Sequence, residues 1–111
     1  MLIFKIVHAA EWKEAREAYE GSAKDRADGF LHFSTAGQLR GTLARHYAGA
    51  DDLVLVAVDS DALGPALRYE PSRDGALFPH LYASLPLAAA RWVRPIARDE
   101  NGGFVLPDLT A

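Results

Sequence analysis

The run Leu53-Val54-Leu55-Val56-Ala57-Val58 constrains the fold more than any other segment, because consecutive aliphatic residues leave no polar side to turn toward water. That is the composition of a strand covered on both faces, so apolar material must lie on each side of it. The chain can supply that material: it has 111 residues, half of them hydrophobic, and reads as one domain spanning 1–111. It contains no cysteine, so disulfides and thiolate metal sites are excluded, which fits a reducing compartment.

The elements around this strand set the class. Leu2 to Val7 is rich in strand formers and opens the domain. Ala9 to Glu20 carries Trp12, Ala15, Ala18 and Tyr19 at helical spacing and is expected to form a first helix, stopped by Gly21 and Ser22. Ala23 to Asp28 reads as a polar loop, and Gly29 to Phe33 as a second strand. Thr35 and Gln38 have capping-box spacing, so a second helix begins at Ser34 or Thr35. It buries a Leu39, Leu43, His46 and Tyr47 face and ends near Gly49.

After the aliphatic run, Asp59 and Ser60 begin a turn, Ala66 to Glu70 alternates as a strand, and Pro71 to Leu77 reads as a loop. Phe78 to Tyr82 and Ala89 to Ile96 are expected strands, and Asn101-Gly102-Gly103 signals a turn before a short strand from Phe104 to Leu106. Helices early and strands late make this an α+β fold: two short N-terminal helices on a mixed or antiparallel sheet.

Charge narrows the function classes. Twelve basic and fifteen acidic residues give a net charge of −3, with the basic residues scattered, which argues against nonspecific nucleic-acid binding. No apolar run reaches the ~20 residues of a membrane span. The Met1 to Val7 segment is interrupted by Lys5 and leads into a helix, so it reads as the first strand of a cytoplasmic protein rather than a signal-peptide core.

Chemistry-bearing residues collect on the strands. His32 alternates with Leu31 and Phe33 and shares a face with Phe30 and Ser34. It reads either as an acid, base or ligand contact, or as a half-buried histidine satisfied by a carbonyl. Ser34 and Thr35 stand at a helix start, suited to an anion or to plain capping. Glu70 ends a strand beside an irregular segment, where it is either functional or paired with Arg68 or Arg73. His80 lies between Phe78 and Tyr82 on one strand face, next to Pro79, which points to an edge or a bulge. His46 and Tyr47 read as packed core residues. The histidines, at positions 8, 32, 46 and 80, show no pair at common zinc spacing, although His32, Glu70 and His80 could still meet at a metal from separate strands.

Together, Tyr19-Glu20-Gly21-Ser22, Asp28-Gly29-Phe30-Leu31-His32-Phe33-Ser34, Leu53 to Val58, Leu67-Arg68-Tyr69-Glu70 and Phe78-Pro79-His80-Leu81-Tyr82 resemble the bacterial family known as domain of unknown function 952. The resemblance covers nearly the whole chain. It implies an ADP-ribosyltransferase-like fold with a cleft between two small sheets, and NAD, an ADP-ribosyl group or a phosphorylated nucleotide as substrate. On that resemblance His32 holds ribose hydroxyls, and Glu70 or His80 occupies the position of the catalytic glutamate. Ser34 and Thr35 meet a phosphate, and Tyr69 and Tyr82 flank a base. The chain departs from the family pattern at Tyr69, where relatives usually carry tryptophan, and at Ala83-Ser84 after the last motif. A noncatalytic module that binds a nucleotide through the same cleft is the alternative the same residues allow.

Overall fold

The aliphatic run is a central strand. In the computed structural model, which describes residues 1–72 and 75–111, β1 (Leu2–His8) is followed by α1 (Ala9–Glu14), β2 (Ala18–Tyr19), α2 (Ala23–Asp28), β3 (Leu31–His32) and α3 (Leu39–His46). The chain continues with β4 (Leu53–Asp59), β5 (Leu67–Pro71), β6 (Leu77–Leu81), β7 (Leu85–Pro86), β8 (Ala90–Pro95), β9 (Ala97–Arg98) and β10 (Phe104–Val105). β4 lies between β1 and β8, antiparallel to both, with Lys5 opposite Val56 and Val56 opposite Val93. Each face of this sheet is covered. Ile3, Val7, Val56 and Val58 pack with Tyr19, Leu31, Phe33, Leu81 and Leu85, while Phe4, Ile6, Leu53, Leu55 and Ala57 pack with Leu39, Leu43 and Ile96.

A second antiparallel sheet, ordered β3-β6-β5, packs on the first of these faces. The two sheets are stitched where Phe4 and Ser34 exchange backbone hydrogen bonds at 2.9 and 2.8 Å. Two-stranded pairs, β2 with β7 and β9 with β10, complete the molecule, the latter closing through the expected Asn101-Gly102-Gly103 turn. The fold is α+β and mostly sheet, and among the described residues every strand pairing is antiparallel.

Several local expectations are corrected. The first helix stops at Glu14 rather than Glu20, and Ala18–Tyr19 is extended against β7. The apolar spacing that suggested a longer helix is real, but the extended chain satisfies it equally well. Tyr19 is buried, its ring lies 5.8 Å from that of Trp12, and its hydroxyl donates to Glu11 at 2.9 Å.

Ala23–Asp28 is a helix, not a loop, so three short helices precede β4 where two were expected. Its start is a capping box: Ser22 Oγ accepts from Asp25 N, and Asp25 Oδ2 accepts from Ser22 N. Gly21 just before it has φ +107, and a Cβ there would stand 2.7 Å from Leu31 Cδ2 and 2.8 Å from Asp25 Cβ, so glycine lets the helix close onto β3.

The expected Pro71–Leu77 loop loses its ends to β5 and β6; the rest of it includes Arg73, which lies outside the described residues together with its suggested pairing to Glu70. Thr35 caps a 3-10 turn, Ala36–Gln38, that runs directly into α3. At the far end of α3, His46 is exposed rather than packed in the core. Tyr47 turns back instead, with its hydroxyl 3.4 Å from Ile6 O.

Candidate functional site

The outer face of the β3-β6-β5 sheet carries a cluster of rings. His32 and His80 are direct cross-strand partners, and Arg68 is opposite His80 on the other side. The two imidazoles meet edge-on with centroids 5.6 Å apart. Phe30 stacks on His80 at 4.0 Å and also touches His32 at 4.6 Å and Tyr82 at 5.2 Å. Alternation along each strand puts all these rings on one side, and the pairing of position 32 with position 80 brings the two histidines together.

Behind His32 lies a buried ionic centre that the sequence reading missed. Asp25 is 2 % exposed and accepts four hydrogen bonds. Its Oδ2 receives Ser22 N at 2.9 Å and Lys5 Nζ at 2.9 Å, and its Oδ1 receives His32 N at 3.1 Å and lies 2.6 Å from His32 Nδ1. Lys5, 3 % exposed on the inner face of β1, also donates to His32 O at 3.0 Å. Burial pushes the Asp25 carboxyl up, but the His32 ring, Lys5 and Ser22 N–H outweigh it and hold the group below the usual carboxylate range. Burial pulls the Lys5 ammonium down against the opposing pull of Asp25. The second ring nitrogen of His32 faces Asp28 Oδ2 at 2.9 Å, so a carboxylate stands at each nitrogen. Lys24, and then the His32 ring, lower Asp28.

His80 is held differently. Its Nδ1 lies 2.9 Å from Glu70 Oε1, and the same oxygen accepts from Tyr82 Oη at 2.6 Å. Tyr82, and then His80, lower the Glu70 carboxyl, and Glu70 in turn raises the Tyr82 phenol. His80 is 7 % exposed, and among the described residues its Nε2 meets no protein partner. A carboxylate on Nδ1 fixes the orientation of the ring and leaves Nε2 outside that contact.

Both histidines line a cavity of about 280 Å³ that runs from Asp25 and Lys24 past Ser34 and Phe78 to Gly37 and Gly41 on the helix wall. Of the residues expected to form a site, His32, His80 and Ser34 line this cavity. Glu70 reaches it through His80, and Tyr82 through Glu70. Ser34 is buried and bonded to Thr42 Oγ1 at 3.1 Å. Thr35 N donates to Gln38 Oε1 at 3.0 Å, so Thr35 serves the helix start. Tyr69 is not with the others: it alternates with Arg68 and Glu70 and occupies the opposite face of β5, across from Pro79.

Among the described residues no group of three His, Asp or Glu side chains is arranged to hold a metal, and no helix is long and apolar enough to cross a membrane. Asp25 and Lys5 had readable signals in Ser22-x-x-Asp25 and in a lysine interrupting an apolar strand. Phe30 and Asp28 became relevant only once the strand register was known.

The family described as "Protein of unknown function (DUF952)" matches residues 6–93. The chain belongs to that family. Within known structures this DUF952 chain is similar to the crystal structure of protein CC0527 from Caulobacter crescentus, at 41 % identity and TM-score 0.89, over 95 % of this chain and 94 % of that one. A crystal structure of a double mutant of CC0527 gives 40 % identity and TM-score 0.88 over the same shares. The solution NMR structure of CC0527 gives 42 % and 0.81, over 92 % of this chain and 90 % of that one. No curated protein matches the chain.

Proposed function

We propose that this DUF952 protein is a small enzyme with an ADP-ribosyltransferase-like cleft, acting on NAD or on an ADP-ribosyl or phosphorylated nucleotide substrate. The observation that carries the reading is the His32–His80 pair: two imidazoles on adjacent strands, each with a carboxylate on Nδ1, at the edge of one cavity. Scaffold structures alone rarely need two carboxylate-oriented imidazoles side by side, whereas an acid–base or charge-stabilising pair does.

The geometry supports the following roles in this reading. His80 Nε2 is the group with open capacity, so it takes the proton from the attacking hydroxyl or water, and Glu70 acts through it as a positioning residue. His32, tied to Asp25, holds ribose hydroxyls once Asp28 swings away from Nε2. The bond broken is the one at the ribose anomeric carbon, its electron pair leaving with the base or nicotinamide, through an oxocarbenium-like transition state. Ser34 and the helix start lie on the phosphate side.

A second reading is a noncatalytic nucleotide-binding module, favoured by the double carboxylate pairing of His32. Titrating NAD, ADP-ribose and AMP into the protein, with histidine ring NMR signals and product chromatography as readouts, separates the two. The enzyme reading expects shifts at both rings and turnover that falls ~10²-fold or more in His80→Asn. Binding without turnover at saturation supports the module, and ring signals that respond to no nucleotide overturn both.

A further inference from the structure

β1 leaves one buried backbone donor unspent beside the cavity. Phe4 exchanges its N–H and C=O with Ser34, at 2.9 and 2.8 Å, so on its other side it makes no ladder bond to Ala57 of β4. The antiparallel ladder alternates from there. Lys5 and Val7 bond to β4, whereas Ile6, like Phe4, points its N–H and C=O off the free edge of the strand. The Ile6 carbonyl is taken by the Tyr47 hydroxyl. Its N–H has no partner among the described residues, although Ile6 is only 5 % exposed. Ile6 lines the cavity, and so do Ser34 and Tyr47, the two residues that flank it off this edge, so the donor lies on the cavity wall. Buried backbone N–H groups without a partner are rare, and one on a cavity wall calls for an acceptor oxygen from outside the chain.

The surroundings of this donor are basic. Tyr47 ties the last turn of α3, with Arg45 and His46, to Ile6. Lys5, the neighbour of Ile6, holds Asp25 and with it the start of α2, where Lys24 stands. Lys24, Arg45 and His46 all line the cavity. The carboxylate that lines it among the described residues, Asp25, has its oxygens engaged by Lys5, His32 and Ser22 N–H. Lys24 is bonded to Asp28 at 3.2 Å, and an ammonium keeps two further donors after one bond. We propose that the phosphate of the ligand sits at this edge of β1, one oxygen accepting from Ile6 N–H and the others facing Lys24 and the last turn of α3. This rests on the nucleotide reading above. It adds a backbone donor beside Ser34, which pairs with Phe4 two residues away, and makes the phosphate the group that the cavity recognises.

The test follows the Ile6 amide of the full chain by NMR during titration with inorganic phosphate, ribose 5-phosphate, AMP and adenosine. Hydrogen exchange of the free protein is measured alongside. In the free protein Ile6 should exchange faster than Lys5 and Val7, whose amides bond to β4. The three phosphate-bearing probes should move the Ile6 signal downfield and slow its exchange, and adenosine should do neither. Lys24→Gln, at an exposed position, should keep the melting temperature and weaken ribose 5-phosphate by ~10-fold, the scale of one charge-assisted hydrogen bond, without changing adenosine. An Ile6 amide that exchanges as slowly as its neighbours, or that ignores AMP while AMP binds, overturns the proposal and leaves the nucleotide reading standing. An Ile6 response to inorganic phosphate in a protein that binds no AMP supports the phosphate site and overturns the nucleotide. A protein that binds none of the four probes overturns both.

Discussion

His32 and His80 are cross-strand neighbours, yet the carboxylates behind them live in different media. Asp25 is buried with Lys5 and has every lone-pair direction used, whereas Glu70 sits at an edge strand, partly open to water, shared between His80 and Tyr82. One imidazole is therefore fastened to the core through an ionic centre, and the other is aimed from the rim with a nitrogen left over. The difference shows how a single strand pair can combine a fixed group with a responsive one. It also separates stability from chemistry, because changes on the Asp25 side should disturb the fold and changes on the Glu70 side should disturb the site.

The largest expected effect is at Asp25. Asp25→Asn removes the partner of a lysine that stays buried, and breaking such a pair costs about 3–5 kcal/mol. Chemical denaturation should show the loss, and the double variant Lys5→Met with Asp25→Asn should recover part of it. If Asp25→Asn unfolds at the wild-type midpoint, the ionic centre is not what fastens His32. Glu70→Gln, by contrast, is expected to leave the melting curve near wild type and to weaken nucleotide binding or turnover.

The acid side of the stability profile sharpens the same contrast. Asp25 titrates below its ordinary value when folded, so above the unfolded-chain value of about 3.9 its contribution to stability is present in full. As pH falls through and below that value, the unfolded chain takes up a proton that the folded one refuses, and stability drops until the folded pKa is passed. Denaturation midpoints should therefore decline steeply in acid for the wild type and more shallowly for Asp25→Asn. A common slope for the two would show that Asp25 is not the group responsible.

The comparison also explains what was legible in the sequence. Leu53 to Val58 announced a central strand because an unbroken aliphatic run has few other places to go. The motif around His32 and the one around His80 pointed to strands because their alternation survives in short segments. Asp25 was hidden because Ala23 to Asp28 offers no apolar face; that helix is held by a cap, an ionic centre and Gly29 rather than by burial of a hydrophobic stripe. The end of α1 was misplaced because Tyr19 is buried equally well from a helix or from a two-residue strand. Tyr69 could have been set aside from the start, since alternation with Glu70 turns it away, and a family motif cannot override that parity.

Replacing the histidines tests the asymmetry directly. His32 Nδ1 meets the buried Asp25, so His32→Asn is expected to cost about 1.5–3 kcal/mol, the scale of a hydrogen bond to a charged group, unless the amide takes over the same contact. His80→Asn loses the stack on Phe30, worth about 0.5–1.5 kcal/mol, and with it the open Nε2. The ordering expected from denaturation is thus His32 before His80, and from ligand binding or turnover the reverse. Equal stability losses with intact ligand binding would make both histidines structural.

The smallest effect belongs to Asp28, and it tests how the fixed imidazole is kept from solvent. Asp28 sits at the end of α2 with its side chain 38 % exposed, bonded to Lys24 at 3.2 Å and facing His32 Nε2 at 2.9 Å. Exposed pairs of this kind contribute little to folding, about 0–1 kcal/mol, so Asp28→Asn should melt within a few tenths of a kcal/mol of the wild type. Its consequence lies in competition. A ligand hydroxyl or phosphate that approaches His32 Nε2 must displace the Asp28 carboxylate, and the neutral amide is easier to displace and repels no anion. Nucleotide affinity should therefore rise in Asp28→Asn, most at low ionic strength where the charge is least screened. An unchanged affinity at every salt concentration would mean that ligands never reach His32 Nε2, leaving His80 as the one imidazole that meets them.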